Sequence, residues 1–179
     1  MAESHSLERP RFFTGKLVTA EDLALEQLYF LEKLKRHNRS LHGFGIVSGL
    51  KVTTDSGKIA VDAGMALDCQ GNEVVIGTVQ MLSPTTTSES WRTAYANIRY
   101  AEDSGAPATI TTIAGATEVS TIREGFEIVI GLENCNRGHS HVRARWLACG
   151  EPHALTIAKL RHNSQGWRVD RRYRPPTIK

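Results

Sequence analysis

Long hydrophobic runs are missing from this chain. No apolar stretch approaches the roughly 18 residues that a membrane-spanning helix needs, so membrane insertion is not expected. The first ten residues, Met1 to Pro10, are polar and hold no apolar stretch of the kind a secretory signal carries. Cysteine is also scarce. Cys69, Cys135 and Cys149 are odd in number and widely spaced, which suits free thiols in a reducing compartment better than a disulfide framework. Strong charge of one sign is absent, with 22 basic against 19 acidic side chains, so net charge gives no case for nucleic acid. Aromatic residues are only 7% of the chain.

What is present is ordinary globular composition, 40% hydrophobic and 23% charged in 179 residues, which excludes disorder throughout the chain. A chain of this length buries about two-thirds of its unfolded surface without staples.

The pattern along the chain predicts a mainly-β α+β fold. One N-terminal amphipathic helix packs on antiparallel sheets, arranged as a small barrel or sandwich. Residues 1–10 form a flexible arm, 11–83 a helix plus small β-sheet unit, and 84–90 a linker or loop. Residues 91–172 form a β-rich second half, and 173–179 a tail. Thr19 and Asp22 can exchange hydrogen bonds as a capping box and start a helix at Ala20. That helix runs to about Arg39. Leu23, Ala24, Gln27, Leu28, Phe30, Leu31 and Leu34 share one broad face, read as a core stripe. Leu25 and Tyr29 fall on the opposite side and mark a second contact surface.

Gly43 suits the left-handed position after a helix. The glycines of Leu41 to Leu50 follow a helix and precede a strand, the reverse of a phosphate-binding loop. Short alternating segments with glycine turns follow, at Leu50–Thr54, Lys58–Asp62, Met65–Asp68 and Glu73–Ile76. Further strands are predicted at Arg92–Tyr100, Ala108–Ile113, Glu118–Arg123, Phe126–Leu132, Leu155–Leu160 and Trp167–Asp170.

No catalytic signature is present, and the chain is not read as an enzyme. Asp62 and Asp68 flank a turn and are read as turn-capping groups rather than a carboxylate pair. Cys69 is read as a packed small residue. Cys135, His139, His141, Cys149 and His153 lie within 19 residues and supply enough nitrogen and sulfur for a structural zinc. Their spacing matches no zinc finger, so no cofactor is assigned and zinc stays an alternative. Trp167, Arg168, Arg171, Arg172 and Tyr173 could stack on nucleic acid, but an edge strand and tail is the simpler reading.

Three segments carry a family resemblance: Arg11-Phe-Phe-Thr-Gly-Lys-Leu-Val-Thr-Ala-Glu-Asp-Leu23, Glu26-Gln-Leu-Tyr-Phe30, and Arg36-His-Asn-Arg-Ser-Leu-His-Gly-Phe-Gly-Ile-Val-Ser-Gly-Leu50. Together with Gly64 to Glu73 they resemble a family of small proteins from extracellular contractile injection systems and phage-tail-like particles. Ala158-Lys-Leu160, Gly166-Trp-Arg-Val-Asp170 and Pro175-Pro176 are also similar to the wedge-binding component of the type VI secretion baseplate. The resemblance implies a structural subunit at the baseplate or cap. It would dock sheath, tube, baseplate or cap proteins and form a ring-shaped homo-oligomer. The chain would be made in the bacterial cytoplasm and could leave the cell inside a particle. The residues implied in contacts are Phe12, Phe13, Gly15, Leu17, Leu25, Tyr29, His42, Gly43, Phe44 and Gly45. The polar ends, Met1–Pro10 and Tyr173–Lys179, suit strand addition onto neighbours. The alternatives are a carbohydrate- or cell-surface-binding β module, which would expose Trp91, Trp146 or Trp167, and a small structural zinc protein.

Overall fold

The computed structural model describes residues 7–55, 57–83, 91–103, 109–111, 117–119, 121–137 and 154–178. It is a mainly-β α+β fold with one helix and antiparallel sheets.

Helix α1 spans Ala20–His37. Its capping box forms as the sequence predicts. The Asp22 N–H donates to Thr19 Oγ1 and the Thr19 N–H donates to Asp22 Oδ2, both at 3.3 Å. The helix then widens into a π-helical turn over Asn38–His42, closed by the Gly43 N–H donating to the Asn38 carbonyl at 3.0 Å.

Twelve strands follow among the described residues. β1 (Gly45–Gly49), β4 (Gly64–Leu67) and β5 (Glu73–Ile76) form one sheet in the order β1-β4-β5. β2 (Val52–Asp55), β3 (Lys58–Val61) and β6 (Gln80–Leu82) form a second, β2-β3-β6. β7 (Thr93–Asp103), β10 (Arg123–Gly131), β11 (Leu155–Asn163) and β12 (Gly166–Val169) form the largest, in the order β10-β7-β11-β12. β8 (Thr109–Thr111) and β9 (Thr117–Val119) pair as a ribbon.

Alternation explains the smaller sheets. In β5, Val74 and Ile76 point inward while Glu73 and Val75 face out, and in β3 Ile59 and Val61 are the inward pair. The central strands of the large sheet are different. Ala94 to Ile98 on β7 and Leu155 to Ala158 on β11 are buried without a break, because both faces of that sheet centre are covered. One apolar core results. It joins Leu50, Ile59, Val61, Val74 and Ile76 from before residue 84 to Ile98, Leu155, Leu160 and Trp167 from after residue 90. The proposed linker, 84–90, lies outside the described residues.

Two elements go elsewhere than the sequence suggests. The helix stripe does not enter the core, since no residue of α1 is buried. Among the described residues, polar bonds join the helix to the sheets at its C-terminal end, as detailed below. The C-terminal tail, read as an arm for a neighbour, adds to this chain's own β1. The Ile46 N–H donates to the Pro176 carbonyl and the Ile178 N–H to the Ile46 carbonyl, both at 2.9 Å, in a parallel bridge of Ile46 with Thr177.

Candidate functional site

The helix is held by a polar joint built from two distant stretches of sequence. Asp68 shapes the turn that follows β4. Its Oδ1 accepts from the backbone N–H groups of Gln70 (2.9 Å) and Asn72 (2.8 Å), and its Oδ2 accepts from Asn72 Nδ2 (2.8 Å). Asp68 is thus a turn cap, though of the turn over 68–72; the Ala63 to Leu67 stretch, read as the turn that Asp62 and Asp68 flank, is mostly strand β4. The turn offers its carbonyls to the helix end. Asn38 Nδ2 donates to the Gly71 carbonyl at 3.0 Å, and the Arg39 guanidinium donates to the Gln70 carbonyl. Asn38, Arg39, Asp68 and Asn72 are all buried.

Gly71 is the close contact in that joint. Its φ is +88°, and a Cβ there would stand 2.2 Å from the Lys35 carbonyl oxygen. Only glycine lets the helix end sit directly on the turn. Gly45 has a parallel role at the next strand: a Cβ there would lie 2.8 Å from the Pro176 carbonyl oxygen, where the tail joins β1. Asn38 and Arg39 of the Arg36–Leu50 segment and Asp68 to Asn72 of the Gly64–Glu73 segment therefore build the joint between helix and sheets.

This sorts the predicted contact residues into two groups. Gly43, Phe44 and Gly45 are structural: Gly43 ends the π-helical turn, Phe44 packs on the core, and Gly45 is buried beside Pro176. His42 is exposed, and its ring lies edge-on to His37 at 5.5 Å. The second group is on the surface. Phe12, Phe13 and Leu17 are 48%, 64% and 82% exposed, and Gly15 turns the arm that carries them. Lys16 ties this arm to the helix start by donating to Asp22 Oδ1 at 2.7 Å. Leu25 is exposed. Tyr29 is half-buried under two cations, Arg9 of the arm and Lys33 of the helix, each within 6 Å of its ring centroid.

The arm therefore covers the side of α1 that bears Asp22 and Tyr29. The opposite side, the apolar stripe, is bare. Leu23, Leu28, Phe30 and Leu34 are 56%, 52%, 58% and 50% exposed. Sequence periodicity found this face but assigned it to the core. A single sequence carries no signal that separates a stripe covered by its own chain from one left for another surface.

The remaining candidates are closed or structural. A depression of about 280 Å³ is lined by Asp68, Gln70, Asn72, Arg99, Tyr100 and Glu102. Its charged groups are engaged: Asp68 caps the turn and Arg99 pairs with Glu127. Burial, and then the bond to Glu102, push the Tyr100 hydroxyl well above its usual range, so it stays neutral.

Thr156 anchors a second network. Its Oγ1 donates to Asn97 Oδ1 and accepts from the Cys135 N–H at 2.8 Å, while Asn136 Nδ2 donates to the Thr156 carbonyl and to the Tyr173 hydroxyl. Cys135 is thereby fixed beside β11, and burial raises its thiol pKa. His139, His141, Cys149 and His153 lie outside the described residues. Among the described residues, no three His, Cys, Asp or Glu side chains gather as a metal site. Trp167 is buried, its ring tilted against that of His162, and Trp91 is half-buried against the core. Trp146 lies outside the described residues.

No known protein-family profile matches this chain, and no curated protein sequence matches it. Its fold is similar to chains in three solved structures. One is the type VI secretion system TssK-TssF-TssG baseplate subcomplex, at 12% identity and a TM-score of 0.59, covering 96% of this chain and 62% of that one. Another is the baseplate complex from the type VI secretion system, at 12% identity and a TM-score of 0.60, covering 96% and 42%. The third is TssK, at 11% identity and a TM-score of 0.57, covering 96% and 42%. The chain thus spans between about two-fifths and three-fifths of the length of these neighbours. At this identity the likeness is one of fold.

Proposed function

We propose that this chain is a structural subunit of a contractile injection system or phage-tail-like particle. It sits at the baseplate or cap and docks neighbouring particle proteins. One observation carries the reading: a rigid polar joint holds α1 with its apolar face outside the core. An apolar face of this size left on a folded chain is an interaction surface. The shared fold with type VI baseplate chains supports the baseplate placement, and the motif resemblance supports the particle type.

The role is binding rather than catalysis. Several copies would assemble as a ring, with different patches meeting around it. The chain would be made in the cytoplasm and travel as part of the particle. No helix among the described residues is long and apolar enough to cross a membrane, and nucleic acid is not a partner in this reading. The carbohydrate-binding alternative needs an exposed aromatic platform. Trp167 and Trp91 do not offer one.

The test is particle isolation. A tagged copy expressed with its neighbouring genes should co-sediment with sheath and tube proteins. A chain that stays in the light fractions while intact particles form would overturn the proposal.

A further inference from the structure

The occupant of the bare face is inscribed in α1 itself. Placing Leu23 and Phe30 at heptad position d and Gln27 and Leu34 at position a puts Ala24 and Leu31 at e and Glu26 and Lys33 at g. We infer that α1 pairs with α1 of a second copy of this chain, antiparallel, with Leu23 opposite Leu34 and Gln27 opposite Phe30. This deepens the docking role proposed above, on which it rests for its biological setting, by naming what covers the face.

The charge pattern selects the orientation. In an antiparallel pair, g faces g and e faces e. Glu26 of each copy then meets Lys33 of the other, giving two opposite-charge pairs, while Ala24 meets Leu31 and stays apolar. In a parallel pair, g faces e. Glu26 would then lie against Leu31, and Lys33 against the already buried Asn38. Neither charge would find a partner. The helix as a whole repeats this logic: its first turn carries Glu21 and Asp22 and its last turn Lys35, Arg36 and His37. Antiparallel pairing also sets opposed helix dipoles side by side.

The surface is ready for such a contact. Leu23, Phe30, Leu31 and Leu34 are all exposed in the single chain; the arm lies beside this stripe, where Arg9 shares the Tyr29 ring with Lys33, so Lys33 must leave that ring to meet Glu26 of the partner. The polar joint is at the C-terminal end of α1, so antiparallel pairing places the two sheet bodies at opposite ends of the helix pair. The contact is two-fold and closes on itself. Any ring therefore grows through other surfaces.

Sedimentation equilibrium of the full chain tests this. The wild type should be a dimer. Glu26→Lys alone and Lys33→Glu alone should each weaken the dimer by about tenfold, since two pairs turn repulsive at once. Combining both changes in one chain, or mixing the two single variants, should restore it. Phe30→Asp should give a monomer with unchanged circular dichroism, because Phe30 is exposed in the single chain. A wild type that is monomeric up to high concentration overturns the pairing. So does a dimer that survives Phe30→Asp, or single charge variants no weaker than wild type. A monomeric chain that still enters particles would remove the pairing and leave the particle role standing.

Discussion

Replacing Gly71 by alanine tests whether the joint truly positions the helix. The added Cβ would stand 2.2 Å from the Lys35 carbonyl oxygen, a backbone atom that cannot rotate away. Helix end and turn must part by about 1 Å to reach ordinary contact. That separation stretches the Asn38 bond to the Gly71 carbonyl and the Arg39 bond to the Gln70 carbonyl. A neutral hydrogen bond contributes about 1 kcal/mol and one from a charged donor about 1.5–3 kcal/mol. A non-glycine residue at positive φ adds about 1–2 kcal/mol of backbone strain. Water entering the opened joint recovers part of this, so a loss of about 3–5 kcal/mol is expected. Asn38→Ala removes one bond without the clash and should cost about 1–2 kcal/mol. Urea unfolding should be followed by both far-ultraviolet circular dichroism, which reports α1, and fluorescence of the buried Trp167. A Gly71→Ala variant within about 0.5 kcal/mol of wild type, the ordinary range for a surface substitution, would refute the joint.

Four further outcomes follow from the same contacts. Thr156→Val keeps the shape but leaves the Cys135 N–H and Asn97 Oδ1 without their partner, and should cost about 2–4 kcal/mol, lowering Tm by about 5–12 °C, while Thr156→Ser stays near wild type. Leu28→Glu, exposed on the bare face, should change monomer stability by less than about 0.5 kcal/mol, whereas Leu160→Ala in the core should cost about 2–5 kcal/mol; equal losses in urea titrations would put α1 in the core after all. The bond from Lys16, and then the Thr19 N–H, hold the Asp22 carboxyl below its ordinary value. A carboxylate depressed in the folded state stabilises above its unfolded pKa of about 4 and loses that contribution as pH falls through the folded value. Amides at the start of α1 should therefore lose exchange protection below about pH 4, and Asp22→Asn should flatten that dependence. Elemental analysis of protein purified without chelator should find no stoichiometric zinc; one zinc per chain would instead favour a site including Cys135.

Much of this fold is legible along the chain because the relevant physics is local. The Thr19–Asp22 box, the inward pairs of β3 and β5, and the Asn163–Gly166 turn between β11 and β12 all follow from residues a few positions apart. β6 was not foreseen, since Gln80-Met81-Leu82 is too short to show alternation. The joint was only half legible. Asp68 and the glycine announce a turn, but nothing near them says that Asn38 and Arg39, some 30 residues earlier, will bury their polar groups on its carbonyls. The candidate site shows the sharper limit. Periodicity establishes that Leu23, Phe30 and Leu34 share a face, but an apolar stripe reads the same whether its own chain or another surface covers it. The tail poses the same problem: its extended residues add to a strand edge, and that edge is β1 of the same chain.

The central claim is that α1 is held out of the core so that other particle subunits, including a second copy, can cover it. A cryo-electron microscopy map of the native particle tests this most directly. Such a map should show this fold at the baseplate or cap, with Leu23, Phe30 and Leu34 of α1 covered by a neighbouring chain. A particle without this chain, or one in which that face of α1 looks into solvent, would contradict it.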